Sequence, residues 1–217
     1  MKINLTRERE NTLLKEPLME DIATEAKACH KCDLWKQRRN TVPGEGSLNA
    51  LVMFIGEAPG YHEDIKGRPF VGAAGKLLDK LLSDINLTRQ EVFITSVLKC
   101  RPPKNRDPLA DEVKICTPYL DRQMKIIKPK IIVTLGRHST SYVFSKAGLE
   151  TGNTTRFRGN VYEIGLSGFQ ISLIPTYHPA AALYDVGYKD KLEIDSQLLK
   201  SELENRGKPH TLHKHES

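Results

Sequence analysis

The chain has 217 residues, 39% hydrophobic and 28% charged, with 33 basic against 27 acidic side chains and a formal charge of +6. That length suits one well-covered domain, or at most two small ones. No apolar run is long enough to span a bilayer, and the opening MKINLTRERE has no apolar segment behind its basic residues; these exclude a membrane span and a secretory signal, and the expectation is a cytoplasmic protein. The modest positive excess permits a polyanionic partner without demanding one.

Polar residues before about Glu16 read as a loosely held helix, and residues 18–28 (LMEDIATEAKA) as a firmer one. The segment CHKCDLWKQRRNTVPGEGS follows, with Cys29, Cys32, Trp35 and the basic residues Lys31, Lys36, Arg38 and Arg39, ending as a loop at Pro43, Gly44 and Gly46. Residues 51–55 are five apolar residues stopped by Gly56, a buried strand feeding a strand-to-helix loop. Residues 73–83 (AAGKLLDKLLS) form an amphipathic helix. Residues 92–97 (VFITSV) are β-branched and apolar, a second strand, and run into KCRPPKNRDPLADE, a loop with three prolines. Residues 111–128 have a helical pattern, with Pro118 predicted to start a second helix just after Cys116. A third strand over 130–135 stops at Gly136, and a helix spans 138–144. Residues 148–159 read as a loop, 161–164 and 170–175 as strands, and 189–205 as a last helix. One domain is expected over 1–205, with 206–217 as a frayed tail. Strands alternating with helices argue for a mostly parallel sheet covered on both faces.

Four cysteines, Cys29, Cys32, Cys100 and Cys116, make one CxxC pair and two distant thiols. A zinc ribbon would show a second knuckle, whereas iron–sulfur spacings vary more. Zinc, a cluster and four unrelated thiols all remain open on spacing alone. A shared metal would gather two basic loops, the one after Cys29 and the one holding Lys99, Arg101, Lys104 and Arg106, into a positive face suited to phosphates. Glu57, Ser96 and His178 fall at or just past strand ends, and Phe70 lies further along the first of those loops. A doubly wound sheet brings such ends to one edge, where ligands bind. A carboxylate, a hydroxyl, an imidazole and an aromatic ring there would make a small polar pocket with a stacking platform.

GEAPG at 56–60, GRPFVGAAGKLL at 67–78, KCRPP at 99–103 and HPAA at 178–181 occur in that order with the four cysteines. Together they resemble the family 4 uracil-DNA glycosylases, the iron–sulfur enzymes of thermophilic archaea and bacteria, from about Cys29 to Tyr184. The resemblance implies a three-layer α/β/α sandwich around a mostly parallel four-stranded sheet. It implies a [4Fe–4S] cluster on Cys29, Cys32, Cys100 and Cys116, with zinc as the alternative metal. It implies a monomer that excises uracil from single- or double-stranded DNA and leaves an abasic site.

In the roles so implied, Phe70 stacks on the flipped base while Gly56, Glu57 and Ala58 meet its edge. His178 donates to the uracil O2, and Glu57 positions water or stabilises the sugar cation. Ala58 stands where better-known relatives carry an aspartate, and Glu63 matches an acid that substitutes for a tyrosine gate. Ser96 departs from the family's asparagine, which reads the base. HPAAALY departs from bulkier relatives, leaving Leu183 or Tyr184 as the wedge into the vacated stack. Lys99 and Arg101 are further expected DNA contacts. The alternatives are a non-catalytic uracil-DNA binding protein with a four-cysteine metal site, a covalent uracil binder, and a phosphate-loop enzyme. The covalent binder's basic insertion after the first loop is missing here, and VGAAGK lacks the phosphate loop's spacing.

Overall fold

The computed structural model describes residues 2–152, 154–166 and 168–207, with side chains from 10 to 206. A two-residue edge strand, β1 (Glu45–Gly46), precedes the central strand β2 (Val52–Gly56), which is buried throughout. Then come β3 (Phe93–Ser96), β4 (Ile131–Leu135), β5 (Tyr162–Leu166) and β6 (Phe169–Thr176). They lie in the order β1-β3-β2-β4-β6-β5. The four inner strands are parallel, and both edges are antiparallel. The expected parallel four-stranded sheet is thus the centre of a mixed sheet of six. The two added edges are β1, too short to show a period, and the hairpin strand β5.

Helices cover both faces. They are α1 (Lys2–Lys27), α2 (Tyr61–Lys66), α3 (Ala73–Asp84), α4 (Ala110–Ile127), α5 (Arg137–Lys146), α6 (Thr154–Phe157) and α7 (Gly187–Gly207). Strand alternation divides the core in two. Met53, Ile55, Phe93 and Ile132 pack with Ile22 of α1, Leu120 and Met124 of α4, and Val143 of α5. Val52, Phe54, Ile94 and Val133 pack with Leu78 and Leu82 of α3 and Leu199 of α7. A strand buried on both faces reads as a continuous apolar run, as the sequence of β2 does.

Some boundaries differ from expectation. α1 is one helix across Pro17. Pro118 does not begin a new helix but lies inside α4. Its ring removes one backbone donor, yet Cys116, Tyr119, Leu120, Gln123, Met124 and Ile127 form one buried stripe across it, and that packing holds the helix together. The loop expected at 148–159 contains α6. Of the expected tail, Arg206 belongs to α7, and residues 208–217 lie outside the described residues. Among the described residues no helix is long and apolar enough to cross a membrane.

Candidate active site and thiol site

From β2 the chain steps to β3 on one side and to β4 on the other. Such a reversal opens a crevice at the strands' carboxyl ends. Register aligns those ends: Gly56 pairs with Ser96, and Leu135 with Thr176. A cavity of about 380 Å³ opens there, lined by Glu57, Ala58, Glu63, Phe70, Ser96, Asp107 and His178 among others. Glu57, Ser96, Phe70 and His178, which sequence placed at one sheet edge, do meet around it.

Each is held by a distinct local device. Phe70 sits at φ 51°, a region few bulky residues adopt. Arg89 fixes this conformation, donating to the carbonyls of Pro69 at 2.6 Å and Phe70 at 3.2 Å. Glu45 and Asp79 hold Arg89 in turn. Gly75 lets α3 press against the same backbone, because a Cβ there would stand 1.8 Å from the Phe70 carbonyl oxygen. The Phe70 ring lies over Gly56, where a Cβ would meet it at 2.7 Å. It stacks against His178, with centroids 5.5 Å apart and planes 25° apart.

His178 accepts the Ala180 N–H at Nδ1, 3.1 Å away, which leaves the proton on Nε2 when the ring is neutral. Desolvation lowers its pKa from 6.5, against the opposing pull of Glu57 and Glu63, so the neutral ring is favoured. Glu57 accepts the His138 N–H at the start of α5, 3.3 Å away. Its carboxylate lies against Gly136, where φ is +99° and a Cβ would fall 2.4 Å from Glu57 Oε1. Glu63 is committed to backbone: it accepts the N–H groups of Gly60, Val71 and Gly72. It thereby ties the loop before α2 to the loop before α3. Leu183 and Tyr184 close the 3₁₀ turn after His178, 49% and 92% exposed.

The four cysteines line one small pocket with Leu34, Trp35, Arg38, Lys99 and Tyr119. Cys29 and Cys32 follow α1, Cys100 follows β3, and Cys116 lies within α4. Arg38 Nη1 donates to Cys100 Sγ at 3.4 Å, and the Lys99 N–H to Cys116 Sγ at 3.2 Å. Burial pushes the Cys100 thiol up, and the Cys116 thiol up to about 11.

Lys99 is not a DNA contact. It is 1% exposed, and its Nζ donates to Thr95 Oγ1, the Ser96 carbonyl and Gln123 Oε1. Its stem follows the strand end back into the sheet, and burial lowers its pKa to about 7. Much of the expected positive face is likewise used internally. Arg38 also donates to the carbonyls of Lys27 and Cys29, and Arg106 pairs with Glu112. Arg101 is bonded to Asn105, which lines the cavity, and is set over the Tyr61 ring. Sequence reading missed Arg89, Asp107 and His138. Arg89 acts on partners up to 44 residues away. Asp107 stood in a loop read for its prolines, and His138 was read only as the start of a helix.

The Uracil DNA glycosylase superfamily model matches residues 43–198. The type-4 uracil-DNA glycosylase of Saccharolobus solfataricus is 53% identical over 192 residues, 88% of each chain. That of Sulfurisphaera tokodaii is 56% identical over 178 residues, 82% of this chain and 81% of the relative. A type-5 uracil-DNA glycosylase of Pyrobaculum aerophilum is 30% identical over 187 residues, 79% of each. The chain therefore belongs to the uracil-DNA glycosylase superfamily, on its type-4 branch.

Proposed function

We propose that this protein removes uracil from DNA by hydrolysing the bond between base and deoxyribose, leaving an abasic site. The observation that carries the reading is the meeting of Glu57, Phe70, Ser96 and His178 around one cavity at the crevice beside β2. A stacked base hides its glycosidic bond, so the nucleotide must swing out of the strand to enter. Phe70 offers the ring on which the pyrimidine stacks. The backbone of Gly56, Glu57 and Ala58, with the Ser96 hydroxyl, meets its polar edge. As the bond breaks, negative charge gathers on the uracil O2 and positive charge on the sugar. The Nε2–H of a neutral His178 donates to O2, where the charge appears, and Glu57 faces the sugar. Leu183 and Tyr184 fill the vacated stack, and Arg101 meets backbone phosphate.

The thiol pocket fits an iron–sulfur cluster better than zinc. Four sulfurs around one zinc ion stand about 3.8 Å apart, from Zn–S bonds of about 2.3 Å. Among the described residues, the one set of three ligand atoms within 4.8 Å of one another is Glu57, Asp107 and His138, not the thiols. The N–H groups aimed at Cys100 and Cys116 also suit cluster thiolates. A [4Fe–4S] cluster on Cys29, Cys32, Cys100 and Cys116 would staple the segment after α1 to β3 and α4. Its contribution is structural, with no part in bond cleavage.

The test is an end-labelled oligonucleotide with a single uracil, incubated with the protein and then treated with alkali. The visible spectrum is taken from the same sample. Scission at the uracil with broad absorbance toward the blue supports both readings. Absorbance without scission would leave a DNA-binding protein, and scission without absorbance would turn attention to zinc.

A further inference from the structure

A second carboxylate reaches the cavity. Asp107 lies past the 3₁₀ turn Pro103–Asn105 and lines the same cavity as Glu57 and His178. One oxygen of Asp107, one of Glu57 and one ring nitrogen of His138 lie within 4.8 Å of one another. They come from three separate elements: a loop, the end of β2 and the first turn of α5. His138 Nε2 stands 3.4 Å from Asp107 Oδ1, yet it is buried without a hydrogen-bond partner. Three groups that bond one water at about 2.8 Å each stand about 4.6 Å apart in a tetrahedral arrangement. All three groups lie within the reach of one water, with His138 Nε2 and Asp107 Oδ1, 3.4 Å apart, closer than that ideal.

The electrostatics point the same way. Two carboxylates this close repel each other, and Glu57, which has no cation paired to it among the described residues, opposes a phosphate backbone coming near, whereas Arg137 offsets part of the charge of Asp107. In a chain of formal charge +6 that must hold DNA, the placement weakens ground-state binding. It helps only where positive charge develops, on the sugar in the transition state. Ala58, next to Glu57, supplies no carboxylate of its own. Arg137 pairs with the outer oxygen of Asp107, holding the side chain at the cavity mouth and competing with any divalent cation there.

We propose that Asp107 is a catalytic carboxylate of the hydrolytic step: with Glu57, and with His138 Nε2 as third contact, it holds the attacking water and takes its proton. This rests on the reading of the chain as a uracil glycosylase with Glu57 at the sugar. The bond from the sugar C1′ to uracil N1 breaks, and its electron pair leaves on the base. The water oxygen then bonds to C1′ and its proton passes to Asp107. Asp107 returns the proton to solvent, and solvent protonates the uracil anion. One water is consumed, and free uracil and an abasic deoxyribose are formed.

The experiment compares Asp107→Asn and Glu57→Gln with wild type in single-turnover excision at saturating protein. Affinity is measured separately on DNA carrying 2′-fluoro-2′-deoxyuridine, whose fluorine disfavours the sugar cation and leaves the base uncleaved. Asp107 is exposed, so its variant should fold, and matching melting curves and visible spectra check this. The expected result is a rate lower by about 100-fold for Asp107→Asn, the usual scale for a positioned proton acceptor, with affinity unchanged or tighter. The double variant should be little slower than the slower single one, because both groups serve one water. A normal rate in Asp107→Asn with a slow Glu57→Gln overturns the proposal and leaves Glu57 in place. Normal rates in both overturn the role of Glu57 as well. Equal losses of rate and affinity would make Asp107 a binding group and also overturn it.

Discussion

The cavity and the thiol site share one stretch of chain, residues 96–100, and treat it in opposite ways. At the cavity end, side chains are held in costly arrangements: Phe70 at positive φ, two carboxylates within 4.8 Å, and His138 Nε2 buried without a partner. At the thiol end, Cys100 and Cys116 belong to the same apolar core as Ile22, Ala26, Leu34 and Leu120, and N–H donors meet both sulfurs. One region keeps strain and an unpartnered buried nitrogen beside a substrate cavity, and the other would tie three distant parts of the chain together through a cluster on its thiols. Substitutions at the first should therefore change rate without stability, and substitutions at the second should change stability first.

The largest effect on rate should come from His178→Ala. Losing a donor at a developing oxyanion costs about 10²- to 10³-fold in single-turnover rate. The melting temperature should stay close to that of wild type, and a large drop would break the comparison. The same residue has a pH signature. Its folded pKa lies below 6.5, so the unfolded chain binds a proton more readily. Its penalty is absent above 6.5 and grows as pH falls from 6.5 towards the folded value. His178→Gln should accordingly lose less stability than wild type over that acid range, as read from melting curves.

Cys116→Ser should do the reverse. We expect the visible absorbance to fall and the melting temperature to drop by about 10 °C. That takes about 3–5 kcal/mol for losing a covalent staple and 2–4 °C per kcal/mol for a chain of this size. Intact melting with intact colour would show that Cys116 is no ligand.

Between the two regions sits Lys99, whose N–H meets Cys116 while its Nζ meets the Ser96 carbonyl. Lys99→Met keeps the stem and removes the donor shared by Thr95 Oγ1, the Ser96 carbonyl and Gln123 Oε1, at about 1–3 kcal/mol for a buried polar cluster that loses hydrogen bonds. It should lower both the melting temperature and the excision rate, by several degrees and several-fold. A change in only one would mean that the two sites are not joined through this side chain. Tyr184→Ala should be milder, weakening binding to uracil-containing duplex several-fold and to single strand hardly at all. Equal losses on both would count against a wedge.

How much of this was legible follows from the range over which each residue acts. β2 could be read because a strand buried on both faces is an unbroken apolar run ended by Gly56. Glu57, Ser96 and His178 could be read because each sits within two residues of a strand end, and parallel order carries all of them to one edge. Lys99 looked like an exposed loop cation by the same local reasoning. Its burial depends on Gln123, 24 residues away on α4, offering an acceptor inside the core. Arg89 and His138 carry no local signal, since the groups they hold come from other elements. Pro118 misled because the proline rule is local, whereas the stripe that keeps α4 whole is a tertiary contact.

The smallest effect on rate, and the most specific one, belongs to Ser96→Asn. Ser96 is 3% exposed and lies beside Gly56, its Oγ 3.1 Å from where a Cβ on Gly56 would stand. Its backbone carbonyl is held by Lys99, so a change of side chain need not move the strand end. A hydroxyl donates once and accepts at the same atom, so it rotates to suit either a uracil edge or a cytosine edge. An amide places donor and acceptor on separate atoms, matching the N3–H and O4 of uracil but opposing the reversed pattern of cytosine. A site built to satisfy a specific edge rejects the analogue that leaves its groups unpaired. The single-turnover rate on uracil should change by no more than a few-fold, whereas the ratio of uracil to cytosine excision should rise by about tenfold, the value of one additional hydrogen bond. An unchanged ratio would mean that selection rests on the backbone of residues 56–58, and that Ser96 serves only to fill the space between Gly56 and Phe70.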